Sequence, residues 1–282
     1  MRLVTYDAGK GPRGGVLDGD LVIDAGDRLH ELAHRSPPTL SALLRAGVLE
    51  GLDPRASGPG VDLAEVRLLP PVTDPSKIVC MGLNYRSHAE EAGLEPPETP
   101  TFFAKFPNSL APPGADVALP GYSEKVDYEA EVAFVVGRRC RDVPERKALH
   151  HIAGYMLFND LSARDYQFKT PQWMPGKVFD GAAPCGPALV TPDEAGDHDA
   201  IEIELTLNGE VMQSASTADL IHPVPQLVEY LSTLMTLEPG DIVSTGTPAG
   251  VGSVRQPRVW LKPGDEVVIS SPTLGRLETR LR

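Results

Sequence analysis

The chain has 282 residues, 41% of them hydrophobic and 23% charged, which allows a large buried core and excludes a disordered polymer. Its formal net charge of −13 argues against nucleic-acid binding, because phosphate contacts need clustered Lys and Arg. No apolar run approaches the ~20 residues of a membrane span, and the opening MRLVTYDAGK lacks the apolar stretch of a secretory signal, so a cytoplasmic protein with no membrane partner is expected.

Residues 3–6 read as a strand, 15–24 as a hairpin and 40–45 as a helical stretch, after which ASGPG at 56–60 is the natural linker. The expected organisation is a small N-terminal α+β domain over residues 1–60 and a larger catalytic domain over 70–282. With 28 prolines and 27 glycines, the larger part reads as β-rich and irregular rather than as alternating βαβ units. Within it, IVCMGLNYRSHAEEAG at 78–93 is a strand running into a short helix. His88 and Glu91 are i, i+3 on that helix and therefore neighbours. A carboxylate beside an imidazole fixes its tautomer and raises its basicity, which suits a general base for water. Glu90 is read as a surface charge.

VDYEAEVAFVVG at 126–137 alternates as a strand does, sending Asp127, Glu129 and Glu131 to one face and Tyr128, Ala130, Val132, Phe134 and Val136 to the other. The acidic face continues into Ala133 and Val135, so it turns inward, and acids entering an interior need a cation. GYMLFND at 154–160 is an apolar run ending in Asp160, which can bring a third carboxylate to Glu129 and Glu131 and complete an all-oxygen site for Mg²⁺ or Mn²⁺. Asp165 is expected to pair with Arg164 or a neighbouring arginine. Lys177 stands alone among apolar and turn residues in KVFDGAAPCGP at 177–187 and can hold an anionic oxygen. By contrast, Glu202 and Glu204 sit on the solvated face of an ordinary hairpin turned by Asn208 and Gly209, and are left outside the site.

A helix is expected over residues 225–236, with Leu227, Val228, Leu231, Leu234 and Met235 apolar and Pro225 in the first turn. Pro-Gly-Asp turns at 239–241 and 263–265 each precede a strand. STGTPAGVG at 244–252 is a strand followed by a glycine-rich loop, which can offer N–H groups and the Thr247 hydroxyl to an anion; it lacks the GK[ST] end of a P-loop. Cys80, Cys140 and Cys185 show no CxxC spacing and read as buried or incidental thiols.

Taken in order, GLNYRSHAEEAG (82–93), DYEAEVAFVVG (127–137), GYMLFNDLSARDYQ (154–167), KVFDGAAPCGP (177–187), LNGEVMQ (207–213) and TGTPAGVG (245–252) resemble the fumarylacetoacetate hydrolase family over residues 70–282. The resemblance implies a mixed β-sandwich or roll, homodimers, and one Mg²⁺ or Mn²⁺ held by Glu129, Glu131 and Asp160, with Asp127 outside the ligand set. It further implies a His88/Glu91 dyad on a lid, Lys177 at the developing oxyanion, and Arg86, Gln167 and Thr247 as substrate-binding residues. The substrates implied are β-keto or enol acids, and the dyad favours hydrolysis of a C–C bond in a 2,4-diketo acid of the acylpyruvate type. Oxaloacetate decarboxylation and 2-hydroxy-dienedioate isomerisation are the alternatives on the same scaffold. Specificity is expected from residues 94–101 and 171–174, where Trp173 and Met174 hint at tolerance for a non-polar tail.

Overall fold

A computed structural model describes residues 1–25, 38–49 and 60–282 of the protein. At its centre the Ala130–Val136 strand is buried along its whole length, and its alternating side chains enter two different cores. Val132, Phe134 and Val136 pack with Ile203, Leu205, Val267 and Ile269 of a second sheet and with Leu227, Val228 and Leu231 of a helix. Ala133 and Val135 pack with Met156, Phe158, Leu40, Leu43 and Leu44 on the opposite side. Each such aliphatic or aromatic side chain contributes about 1.5–3 kcal/mol on full burial, so both faces of this strand are strongly specified.

The large sheet runs in space through Val61–Asp62, Leu21–Asp24, Arg13–Asp18, Arg2–Asp7, Ala183–Val190, Ile152–Asn159, Ala130–Val136, Ile242–Ser244, Ile78–Gly82 and Thr101–Lys105. Pairing along this path is antiparallel except between Ile242–Ser244 and Ile78–Gly82. A five-stranded sheet of Glu210–Ser216, Glu202–Leu207, Glu266–Ser271, Gly275–Leu281 and Ala115–Val117 covers one face. The result is the β-rich, mixed-sheet architecture expected from the sequence.

Several local expectations meet the structure directly. The Leu40–Ala46 helix is capped by Thr39, whose hydroxyl accepts the Ala42 N–H at 3.3 Å. The Val224–Leu234 helix has Pro225 in its first turn, but Leu234 at its end is 50% exposed and Met235 lies beyond it. Asn208 and Gly209 both have positive φ, 52° and 84°, as a type I′ hairpin turn requires. The linker expected at 56–60 lies, apart from Gly60, outside the described residues. The strands of residues 2–24 join the large sheet, since Arg2 and Leu3 pair with Val190 and Leu189. No helix among the described residues is long and apolar enough to cross a membrane.

One expectation needs correction. The run from 126 to 137 is two strands, because Val126–Asp127 pairs with Ser162–Ala163 in a small sheet of its own, and Tyr128 and Glu129 form the link to Ala130–Val136. The break lets Asp127 reach the Gly252 and Ser253 N–H groups while it shares Arg164 with Glu129.

Candidate active site

Register brings the three carboxylates together. Ala130 pairs with Asn159, so Asp160, the next residue, falls beside Glu129 and donates its N–H to the Glu129 carbonyl at 3.0 Å. Carboxylate oxygens of Glu129, Glu131 and Asp160 lie within 4.8 Å of one another, and all three residues are buried. Buried charge this dense requires partners. Lys177 Nζ bridges Glu129 at 2.6 Å and Asp160 at 2.8 Å, Lys105 binds Asp160 at 2.5 Å, and Arg164 pairs with Glu129 at 2.7 Å and Asp127 at 2.9 Å.

Four buried carboxylates, Asp127, Glu129, Glu131 and Asp160, therefore face three cations among the described residues. Among the described residues Glu131 is the one without an ion pair, and its side-chain partner there is the Ser244 hydroxyl, which donates to it. Burial, then Asp160 and Glu129, push the Glu131 carboxyl well above the ordinary range. Glu129 is also desolvated, but Arg164 and Lys177 outweigh burial and hold it low. Burial acts against the Lys177 charge as well, and Asp160 and Glu129 reverse it, so the ammonium is retained. A cluster of hard oxygen donors with one carboxylate left unpaired fits Mg²⁺ or Mn²⁺, with Glu129, Glu131 and Asp160 as the holding residues.

Asp127 has a different task. It accepts the N–H groups of Gly252 and Ser253 at 2.8 and 3.0 Å and the Arg164 guanidinium, which pins the glycine-rich loop to the acid strand. Position 252 must be glycine, since a Cβ there would come within 2.1 Å of the Val259 carbonyl oxygen and 2.8 Å of Asp127 Oδ1. The expected Asp165–Arg164 pair does not form. Arg164 is turned inward by the two carboxylates, and Asp165 instead accepts the Ser123 hydroxyl at 2.6 Å.

His88 and Glu91 lie on the Arg86–Glu91 helix over the cavity, with Nδ1 and Oε2 3.6 Å apart. Glu91 accepts the Gly250 N–H at 3.0 and 3.1 Å, and Ser87 donates both its N–H and its hydroxyl to Asp219. The loop N–H groups of Gly250, Gly252 and Ser253 are thus spent on protein carboxylates rather than offered to a free anion. Thr247 reaches the cavity, yet its hydroxyl proton goes to the Ala130 carbonyl and its oxygen accepts Gln213 Nε2, both at 2.9 Å. Gln167 lines the cavity and accepts from Arg164 at 2.9 Å, which leaves its amide N–H groups for a ligand. Arg86 is not brought in. It is exposed and donates to the Leu220 carbonyl at 2.8 Å.

Two residues of the site escape a sequence reading. Lys105 ends the Thr101–Lys105 strand with its side chain fully buried; a single lysine in the apolar run FFAKF is the available signal. Gln213, 2% exposed on the hairpin whose acids face solvent, holds the Ala130 N–H at 2.8 Å and the Pro248 carbonyl at 2.9 Å. The cavity itself measures about 180 Å³ and is lined by His88, Glu129, Glu131, Arg164, Gln167, Lys177 and Thr247 together with an apolar wall.

Residues 77–282 match the family model described as fumarylacetoacetate (FAA) hydrolase C-terminal. The mitochondrial oxaloacetate tautomerase FAHD2A of Bos taurus is 42% identical over 219 residues, which cover 77% of this chain and 70% of the relative. Two solved structures span 100% of the chain at 32% identity. Fumarylacetoacetate hydrolase from Exiguobacterium antarcticum, 99% covered, gives a TM-score of 0.88, and 2-hydroxyhepta-2,4-diene-1,7-dioate isomerase from Mycobacterium marinum, 98% covered, gives 0.79. With a buried acidic triad, a dyad on the overlying helix and a family match over most of its length, the chain belongs to the fumarylacetoacetate hydrolase family.

Proposed function

We propose that the protein hydrolyses a C–C bond in a small 2,4-diketo acid of the acylpyruvate type, using Mg²⁺ or Mn²⁺, as a homodimer. The observation that carries this reading is His88, with Glu91 beside it, lining the same cavity as Glu129 and Glu131 of the acidic triad. Glu129, Glu131 and Asp160 would hold the divalent cation, which when bound would supply an electron sink for the keto acid. With Nδ1–H directed at Glu91, His88 presents the lone pair of Nε2 to the cavity and takes a proton from water as it attacks the distal acyl carbonyl. The Gly250 N–H fixes Glu91 3.6 Å from the imidazole. Lys177 spends two of its three N–H groups on Glu129 and Asp160, and the third can hold the developing oxyanion. The C–C bond then breaks with its electron pair on the pyruvate enolate, His88 returns the proton to carbon, and a carboxylate and pyruvate leave.

A second reading is keto–enol tautomerisation of oxaloacetate, favoured by the 42% identity to the bovine oxaloacetate tautomerase. The same imidazole would move a proton to and from the carbon beside the keto group, and no bond between carbons would break. Purified protein incubated with acetylpyruvate or with oxaloacetate, each with Mg²⁺ and with EDTA, separates the readings. Metal-dependent loss of the acetylpyruvate enol absorbance with stoichiometric pyruvate and acetate is the expected result. Faster enol–keto equilibration of oxaloacetate, without pyruvate, would replace hydrolysis by tautomerisation. Pyruvate and CO₂ from oxaloacetate would mark a decarboxylase.

A further inference from the structure

Away from the carboxylates the cavity wall changes character along a chain of contacts. Lys177 Nζ lies 4.9 Å above the Phe103 ring, and Phe103 meets Trp173 edge-on with ring centroids 6.0 Å apart. Trp173 in turn lies directly on the backbone of Gly82, where an added Cβ would fall 2.2 Å from its ring. Met81, Leu94 and Phe168 also line the cavity. The two cationic side chains that line it, Arg164 and Lys177, are already paired with Asp127, Glu129 and Asp160. His88, the remaining base on the wall, faces Glu91.

Among the described lining residues, then, no unpaired Arg or Lys awaits a second carboxylate. A substrate whose far end carried one would strip that group of water against phenyl, indole and alkyl surface with no unpaired cation to answer it. A methyl or short alkyl end gains from the same surface. At about 180 Å³ the cavity is also smaller than the ~300–1,000 Å³ of drug-sized sites, which limits that end to a few carbons.

We infer that the site selects monocarboxylic 2-oxo acids with a short apolar distal group and discriminates against dicarboxylic ones, with Phe103 and Trp173 as the residues that discriminate. The inference rests on the keto-acid reading of the site but not on hydrolysis. It separates this chain from relatives whose names specify oxaloacetate or a dienedioate, both dicarboxylates.

Calorimetric titration of the Mn²⁺-loaded protein with 2-oxopentanoate and 2-oxoglutarate tests it. The two ligands have the same five-carbon chain, differ only in a terminal methyl or carboxylate, and lack the 4-oxo group needed for cleavage. Binding of 2-oxopentanoate at least tenfold tighter is the expected result. Leu94→Arg and Phe168→Arg, at positions 50% and 67% exposed and so tolerant of charge, should each narrow or reverse the ratio by supplying the missing cation. Equal or tighter binding of 2-oxoglutarate to the unaltered protein overturns the inference, as does a ratio unmoved in both variants. The expected preference without acetylpyruvate turnover would leave the inference standing and remove only hydrolysis, whereas no binding of either ligand would remove the keto-acid reading and the inference with it.

Discussion

Glu131 differs from the other acids of the centre because no cation within the described residues answers it, and only Ser244 donates to it. A divalent cation that binds the folded chain alone stabilises it by mass action, about 2.7 kcal/mol at a hundredfold excess over Kd. Scanning fluorimetry should therefore show a rise in Tm of several degrees with Mn²⁺ that EDTA reverses. Glu131→Gln should lose most of that rise while its Tm in EDTA stays equal to or above that of the parent, because an uncompensated buried acid has been neutralised. The cysteines carry a second expectation. Burial pushes the Cys140 thiol up to about 11 and the Cys185 thiol up to about 12, and Cys80 is raised for the same reason first. An ordinary thiol near 8.5 is about a quarter ionised at pH 8. These three should stay unreactive to a disulfide reagent until urea unfolds the chain. The sign for stability follows from the raised folded values: the contribution is complete below about pH 8.5 and is lost as pH climbs, since unfolded thiols ionise and folded ones do not. Urea midpoints between pH 8 and 10 measure it.

The glycine-rich loop after the Ile242–Ser244 strand holds both halves of the centre. Its Gly250 N–H carries Glu91 of the overlying helix, and its Gly252 and Ser253 N–H groups carry Asp127 of the acid strand. Gly252→Ala forces a Cβ against Val259 and Asp127, an overpacking that costs typically ~1–3 kcal/mol. Urea denaturation should report that loss, and turnover should fall with it because the dyad and the acids are registered through one loop. Legibility also divides at this scale. Glu129, Glu131 and Asp160 were readable because each sits in a short pattern, two on alternate positions and one closing an apolar run. Lys105 and Gln213 were not, since their partners Asp160 and Thr247 are 55 and 34 residues away in sequence, and a lone lysine in an apolar run does not name its partner. The Arg164–Asp165 expectation failed for the complementary reason, in that a nearest-neighbour ion pair yielded to two buried carboxylates from another strand.

In the whole molecule, the family motifs all fall within residues 77–282, which match the family model, and strand order came only from the structure. Periodicity identifies a strand but not its neighbour, so the pairing of Arg2–Asp7 with Ala183–Val190 had no signal in residues 1–24. The homodimer implied by the family resemblance is open to light scattering on a sizing column, where a mass near twice the 30.2 kDa chain is expected and a mass near one chain would count against it. The charge tally of the centre also bears on the order of events in turnover. With the Glu131 carboxyl pushed up by burial and by Asp160 and Glu129, the three other carboxylates balance three cations, and the centre offers an incoming acid anion no net attraction. A divalent cation that displaces the Glu131 proton would leave one net positive charge, and a singly charged acid would then bring the buried volume to neutrality. Compulsory loading follows, cation first and acid second, and the initial-rate pattern should be that of an ordered rather than a random mechanism.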